Sequence, residues 1–248
     1  ALTGDAQSGL FELFPHLRNL PNICKLELYN VNPAFTRPGR HIGNIIRCAW
    51  QSLQMSGGPM LTLYFCPGAS SMAPHMALHE IGAPFEARAI SLKNKQQKEP
   101  GYLAMNPEGK VPLLLVDGRP LTEVAGILFY LARRFPEARL IPGDIEGQAQ
   151  AVSWMSYVAS TLHPARRISV DYAREVFRGA DRKLGHGGWA LGDYSVADIH
   201  LFRLFWRFVG YAEPDRKDYP NLFAHHDLMM NRPAVQRTIA DEAAAGVE

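Results

Sequence analysis

Cysteine is scarce in this chain of 248 residues. Its three cysteines, Cys24, Cys48 and Cys66, are odd in number, lie far apart and include no CxxC pair. Neither a disulfide framework nor a zinc site built from thiolates is therefore predicted. A reducing compartment, the cytoplasm, fits this cysteine content.

An excess of charge of one sign is also missing, because the chain has 26 Lys and Arg residues and 24 Asp and Glu residues. No dense basic run is present, so we expect no nucleic-acid partner. Charges interrupt every apolar stretch before the roughly 18 to 20 residues that a membrane span needs. The chain does not open on a basic segment followed by an apolar one. We expect a soluble protein that is not exported and has no membrane partner.

The composition is that of a globular protein, with 47% apolar and 20% charged residues. Two domains are expected at this length. Residues 1–59 hold five prolines and no sustained period of 3.6 or 2. We interpret this segment as an extension outside the core fold, since Met55 and Met60 are each plausible starts.

From Met60 the pattern becomes regular. Leu61–Phe65 is a short apolar run that predicts a buried strand. Ser70 and Ser71 are suitable N-caps for a helix that ends at Gly82. Phe85–Ile90 alternates in polarity, which predicts a strand with one solvated face.

A hairpin and a helix complete this half. Val111–Val116 is an apolar strand that turns at Asp117-Gly118 into a short partner. Residues 122–135 carry an apolar stripe at helical spacing. The order β-α-β-α-β-β-α matches an α/β thioredoxin-like domain, which we assign to residues 60–138.

The second half is predicted to be all helical. Residues 139–147 form the expected linker, and residues 148–248 the helical domain. Ser195 and Asp198 have the spacing of a capping box, and Pro220 is expected to open a further helix, as is Pro233.

Four local motifs of this chain, in this order, resemble those of the glutathione S-transferase family, closest to its bacterial beta class. They are PGASSMA at 67–73, NPEGKVP at 106–112, LTE at 121–123 and GDYSVADI at 192–199. The resemblance spans residues 60 to 248. It implies the glutathione transferase fold, a homodimer, glutathione as co-substrate without a tightly bound cofactor, and an electrophilic small molecule as second substrate. The role implied is detoxification.

The thiol of glutathione, with a pKa near 8.5 as in cysteine, has to be ionised by such an enzyme. Ser70 and Ser71, at the start of a helix, are the candidate hydroxyl donors to the thiolate. Without the resemblance, a helix cap is the better explanation of each serine. Beta-class enzymes carry a cysteine where Ser70 stands, and the family's tyrosine is replaced by Phe65. Cys66 is a rival nucleophile, although a small buried side chain explains it better.

The resemblance implies a glutathione site around Val111-Pro112. Pro112 matches the family's cis-proline, which would present the backbone of Val111 to the peptide. Glu123 matches the acidic residue that holds the γ-glutamyl amine, and the amide of Val124 the group that binds the γ-glutamyl carboxylate.

Two lysines and a histidine complete the implied site. Lys95 and Lys110 match positions that border the glycine carboxylate of glutathione, although each is equally explained as a solvated surface lysine. His163 matches a beta-class histidine that faces the sulfur. Arg166 and Arg167 follow it and are equally explained as acceptor-pocket residues or as a solvated helix end.

Three alternatives for function are left open. The first is a transferase; the second is a noncatalytic binding or regulatory module of the same fold. The third is a glutathione-dependent reductase or isomerase that uses Cys66, Ser70 or Ser71. We predict no metal site, since the helical pair His75 and His79 has no evident third ligand.

Overall fold

The computed structural model of the protein describes residues 60–247. The expectations for residues 1–59, with Cys24 and Cys48, lie outside the described residues. Four strands form a mixed sheet in the order β2-β1-β3-β4. β1 pairs in parallel with β2 and antiparallel with β3, and β4 is antiparallel to β3. The strands are β1 (Leu61–Phe65), β2 (Phe85–Ala89), β3 (Leu113–Val116) and β4 (Arg119–Thr122).

The predicted hairpin between β3 and β4 is confirmed. Asp117 and Gly118 both have positive φ angles, of 51° and 76°, as a two-residue turn between antiparallel strands requires. β3 begins two residues later than predicted, because Val111 and Pro112 precede the strand.

Three helices accompany the sheet: α1 (Met72–Ile81), α2 (Pro100–Met105) and α3 (Val124–Arg134). Gly82 ends α1 in the left-handed conformation, as predicted. The expected side-chain cap of α1 is not formed, since Ser71 occupies the cap position without a capping hydrogen bond. Its hydroxyl is bound elsewhere. β1, α1 and α3 pack through fully buried apolar side chains such as Leu63, Met76 and Leu128.

The second half is helical, as predicted, and its first helix begins at Ile145, inside the predicted linker. One turn of π-helix, Val158–Leu162, separates the first two helices. The helices are α4 (Ile145–Tyr157), α5 (His163–Ile168), α6 (Val170–Leu184), α7 (Val196–Ala212), α8 (Pro220–Met230) and α9 (Pro233–Ala244). The predicted openings at Pro220 and Pro233 are confirmed.

The central helix α7 begins with the predicted capping box of Ser195 and Asp198. Phe202 of α7 belongs to the same buried cluster as the sheet, and this cluster joins the two halves, while the helices also form a second buried cluster of their own. Arg232 also joins the halves, donating two hydrogen bonds of 2.6 and 2.8 Å to the Glu80 carboxylate. Among residues 60–247, no helix has both the length and the apolarity needed to cross a membrane.

Candidate functional site

A cavity of about 420 Å³ opens between the loop after β1 and the helices α5 and α7. Its floor includes Cys66 and Ser70. The helical half contributes basic and apolar side chains, namely His163, Arg166, Arg167, Arg203, Arg207, Leu162, Phe177, Leu204 and Tyr211. This volume suits a small-molecule ligand.

A second cavity, of about 230 Å³, lies against the start of β3 and the N-terminus of α3. Pro112, Glu123 and Val124 are part of its lining. The two cavities share five residues: Ser70, Lys110, Val111, His163 and Arg167. These shared residues define a junction between two adjoining binding spaces, where groups from two ligands can meet.

The two candidate serines have different environments. Ser70 lies at the junction, and its hydroxyl donates a 3.1 Å hydrogen bond to the carbonyl oxygen of Val111. Ser71 is fully buried and lines neither cavity. Its hydroxyl accepts from the Cys66 amide at 3.1 Å and donates to the Cys66 carbonyl at 3.2 Å. The structure thus does not bring Ser71 to the site, because both of its hydrogen bonds hold the turn after β1.

Cys66 directly follows β1 and has only 7% of its surface exposed. It nevertheless lines the larger cavity. It does not line the smaller cavity, so Cys66, unlike Ser70, is not one of the junction residues.

The predicted peptide-binding segment has the expected geometry. The Val111-Pro112 bond is cis, as predicted, and both residues line the second cavity. Glu123 has a φ of +66°, a left-handed conformation that costs energy for a residue with a side chain. Val124 begins α3, so its amide belongs to the first turn, whose N–H groups have no partner inside the helix. The strained residue Glu123 thus directly precedes the first amides of α3, beside the cavity.

The two predicted lysines are not equivalent. Lys110 lines both cavities and pairs with Glu108 at 2.8 Å. Lys95 is exposed in the turn after β2 and lines neither cavity. Gln97, two residues further on, lines the larger cavity instead. Its buried Oε1 has no hydrogen-bond partner among the residues that the structure describes.

His163 lies at the junction, directly after the π-helical turn, an irregularity that is common at functional sites. Burial, reinforced by the charges of Arg203, Arg167, Arg166 and Arg207, lowers the pKa of His163 to about 4. The imidazole is therefore neutral at pH 7 and can donate one N–H hydrogen bond.

A second neutral histidine, His200 on α7, lines the smaller cavity. Complete burial, and then the neighbouring His163 and Arg203, lower its pKa to about 3. Both rings bind protons more weakly in the folded than in the unfolded protein, whose histidines have a pKa near 6.5. The unfolded state is consequently favoured as the pH falls through 6.5 toward 4.

We therefore expect urea denaturation to show decreasing stability between pH 6.5 and 4, with each buried histidine contributing up to about 1.4 kcal/mol per pH unit. His200→Asn should reduce this dependence of stability on pH by the contribution of one histidine. The exposed His186 supplies the matched control His186→Asn, which should leave the slope unchanged. An unchanged slope in His200→Asn would contradict a neutral His200.

Two arginines of the site were not predicted from the sequence. Arg203 is 3% exposed and donates to the carbonyls of Ala69 and Gly68 at 3.0 and 2.8 Å. Arg207 also donates to Gly68, at 2.9 Å. Their spacing of four, in a stretch of α7 that is otherwise apolar after His200, is the signal that identifies them, since charged side chains are rarely buried without a partner.

A histidine cluster lies apart from both cavities. Asp241 of α9 lies beside His75 and His79, and one ligand atom from each of the three residues falls within 4.8 Å of the others. Tertiary packing thus supplies the third group that the local sequence lacks. His75 Nδ1 lies 3.1 Å from Glu242, and His79 Nε2 lies 3.2 Å from Asp241. These contacts join α1 to α9, and the expectation of no metal stays a prediction.

Residues 59–133 match the family model of the glutathione S-transferase N-terminal domain. Over 200 residues the chain is 31% identical to the glutathione S-transferase GstA of Escherichia coli O157:H7, covering 73% of this chain and 98% of that protein.

Two solved structures are similar along the same part of the chain. A glutathione transferase homologue from Sulfitobacter with bound glutathione is 33% identical, with a TM-score of 0.66, over 74% of this chain and 98% of that one. A beta-class enzyme from Sphingomonas chungbukensis is 32% identical, also with a TM-score of 0.66, over 73% and 98%. This agreement in sequence and fold, over nearly the whole length of each relative, shows that the chain belongs to the glutathione S-transferase family of enzymes.

Proposed function

We propose that this protein binds glutathione in the smaller cavity and ionises its thiol for attack on an electrophile held in the larger one. The observation that carries the proposal is the junction of the two cavities at Ser70, Val111 and His163. A thiol placed there faces both spaces. Catalysis then consists of thiolate stabilisation and proximity of the second substrate.

The peptide of glutathione has complementary groups along the smaller cavity. The backbone of Val111 supplies a donor and an acceptor for the cysteinyl residue. Glu123 offers a carboxylate to the γ-glutamyl amine, and the first amides of α3, beginning at Val124, suit the γ-glutamyl carboxylate. Lys110 and Arg167, at the shared edge, are positioned for the glycine carboxylate.

Ser70 is the hydroxyl that we assign to the sulfur, since the hydroxyl of Ser71 is committed to Cys66. Rotation about its side-chain bond redirects the Ser70 proton from the Val111 carbonyl to the thiolate. The N-terminus of α1 and the guanidinium of Arg203, which is bound to the loop before this helix, add positive potential. Neutral His163 can donate a second hydrogen bond.

The glutathione site is tested by calorimetric titration of the full chain. Glu123→Gln removes the charge that faces the γ-glutamyl amine, so the Kd of glutathione should rise about 10- to 100-fold. The exposed Glu137 supplies the control Glu137→Gln, which should bind as the wild type does.

Failure of the wild type to bind glutathione would refute the proposed function. Binding without turnover of any electrophile would instead favour the noncatalytic alternative. Homodimer formation, a cytoplasmic location and a role in detoxification complete the proposal, on the strength of the family and of the low cysteine content.

A further inference from the structure

The larger cavity has an unbalanced charge. Five of the residues that line it are Lys or Arg, and no residue of the lining is Asp or Glu. The cations are Lys110, which is paired with Glu108 of the smaller cavity, and the arginines Arg166, Arg167, Arg203 and Arg207. Like charges held close together around a partly desolvated space repel one another, and an anion that enters this space relieves the repulsion.

The four arginines differ in the groups that they already bind. Arg203 and Arg207 hold the carbonyl of Gly68, which accounts for part of their hydrogen-bonding capacity. Arg166 and Arg167 form no ion pair with any described residue. The guanidinium of Arg166 lies 5.5 Å from the centre of the Tyr211 ring.

Arg166 and Arg167 differ in the cavities that they line. Arg167 lines both cavities, as does Lys110, so both can serve a carboxylate of glutathione. Arg166 lines the larger cavity and does not line the glutathione cavity. Its charge is therefore available to the second substrate.

Resting on the proposed function, we infer that the second substrate is an electrophile with an apolar body and a carboxylate, and that Arg166 binds this carboxylate. Leu162, Phe177 and Leu204 supply the apolar wall for the body. The planar guanidinium of arginine matches a carboxylate with two parallel hydrogen bonds. Arg207, beside it, adds a second positive charge; burial and the nearby Arg166 lower the pKa of Arg207.

A matched pair of aryl chlorides tests the inference: 4-chloro-3,5-dinitrobenzoate and its methyl ester. In each reaction the glutathione thiolate forms a bond to the carbon bearing chlorine, chloride leaves, and the thiol proton passes to solvent. Each kcat/KM is divided by the uncatalysed rate constant, because the ester activates the ring differently. The wild type should then prefer the benzoate by about 10-fold or more, and added salt should reduce the preference.

Arg166→Gln should lower kcat/KM for the benzoate about 10- to 100-fold and change that for the ester less than about 3-fold. The KM of glutathione should remain unchanged, and Arg166→Lys should recover part of the preference. Arg182, exposed on α6, supplies the control Arg182→Gln, which should retain the wild-type preference.

Equal efficiency for the two substrates, or equal losses in Arg166→Gln, would overturn the anion site and leave the transferase intact. Calorimetry of the binding of the two glutathione conjugates is a second test, which needs no turnover. Tighter binding of the carboxylate conjugate, lost in Arg166→Gln, supports the inference even if neither substrate reacts. If glutathione itself does not bind, the proposed function and this inference fall together.

Discussion

Replacing Asp198 by alanine is expected to lower the free energy of unfolding by about 3–5 kcal/mol. Asp198 is fully buried at the start of α7. Its carboxylate accepts hydrogen bonds from the Ala190 amide at 2.7 Å and from the Ser195 amide at 2.8 Å. The Ser195 hydroxyl and His225 Nε2 lie 3.0 and 3.2 Å away. Alanine would leave these groups buried without their partner.

Urea denaturation measures this effect. Asp193 is exposed in the segment that precedes α7 and supplies the control Asp193→Ala, which should change the free energy of unfolding by less than about 0.5 kcal/mol. A loss of less than about 1 kcal/mol in Asp198→Ala would mean that the capping box is not a main support of the central helix. Because Arg203 and Arg207 lie on that helix, loss of the box should also weaken the site.

Replacing Ser70 by alanine is expected to lower kcat/KM about 10- to 100-fold and to raise the pKa of the bound glutathione thiol by about 1 to 2 units. One hydrogen bond to a charged acceptor accounts for this magnitude. The pKa is measured from the thiolate absorbance of the glutathione complex as a function of pH. In the protein without ligand, His163, whose pKa is held near 4, should add no ionisation of its own between pH 6 and 9.

Substitutions of two further serines separate an effect on the thiol pKa from an effect on stability. Ser71→Ala should reduce stability by removing both hydrogen bonds to Cys66 and should leave the thiol pKa near that of the wild type. The exposed Ser153 supplies the control Ser153→Ala, which should alter neither quantity. If Cys66→Ala abolished activity and Ser70→Ala did not, the reductase or isomerase alternative would replace the serine assignment.

Much of the fold was predictable because its signals are local. Asp117-Gly118 specifies a turn by its own backbone preferences, and the Ser195 and Asp198 side chains satisfy amides within three residues. The strand and helix order follows from apolar periodicity, which depends only on neighbours along the chain. The Val111-Pro112 bond was predicted by resemblance to the family, and its cis geometry agrees.

Site assignments that depend on packing were less predictable. Ser70 and Ser71 are adjacent and chemically identical, and only the turn after β1 directs one to the cavity and the other to Cys66. Lys95 was predicted at the site, yet a short helical turn brings Gln97 there. Asp241, the third member of the histidine cluster, comes from the last helix of the chain.

The sequence by itself determined the two-part architecture, the limits of α1 and α3, the starts of α7, α8 and α9, and the family. These depend on periodicity, capping and short motifs. Tertiary structure alone decided which serine lines the two cavities and that several arginines surround the larger one. Arg203 and its partner Ala69 lie 134 residues apart in the chain. Only the packing of α7 against the loop after β1 joins them. Charge and burial at a site depend on residues that are distant in the chain, and folding brings these residues together.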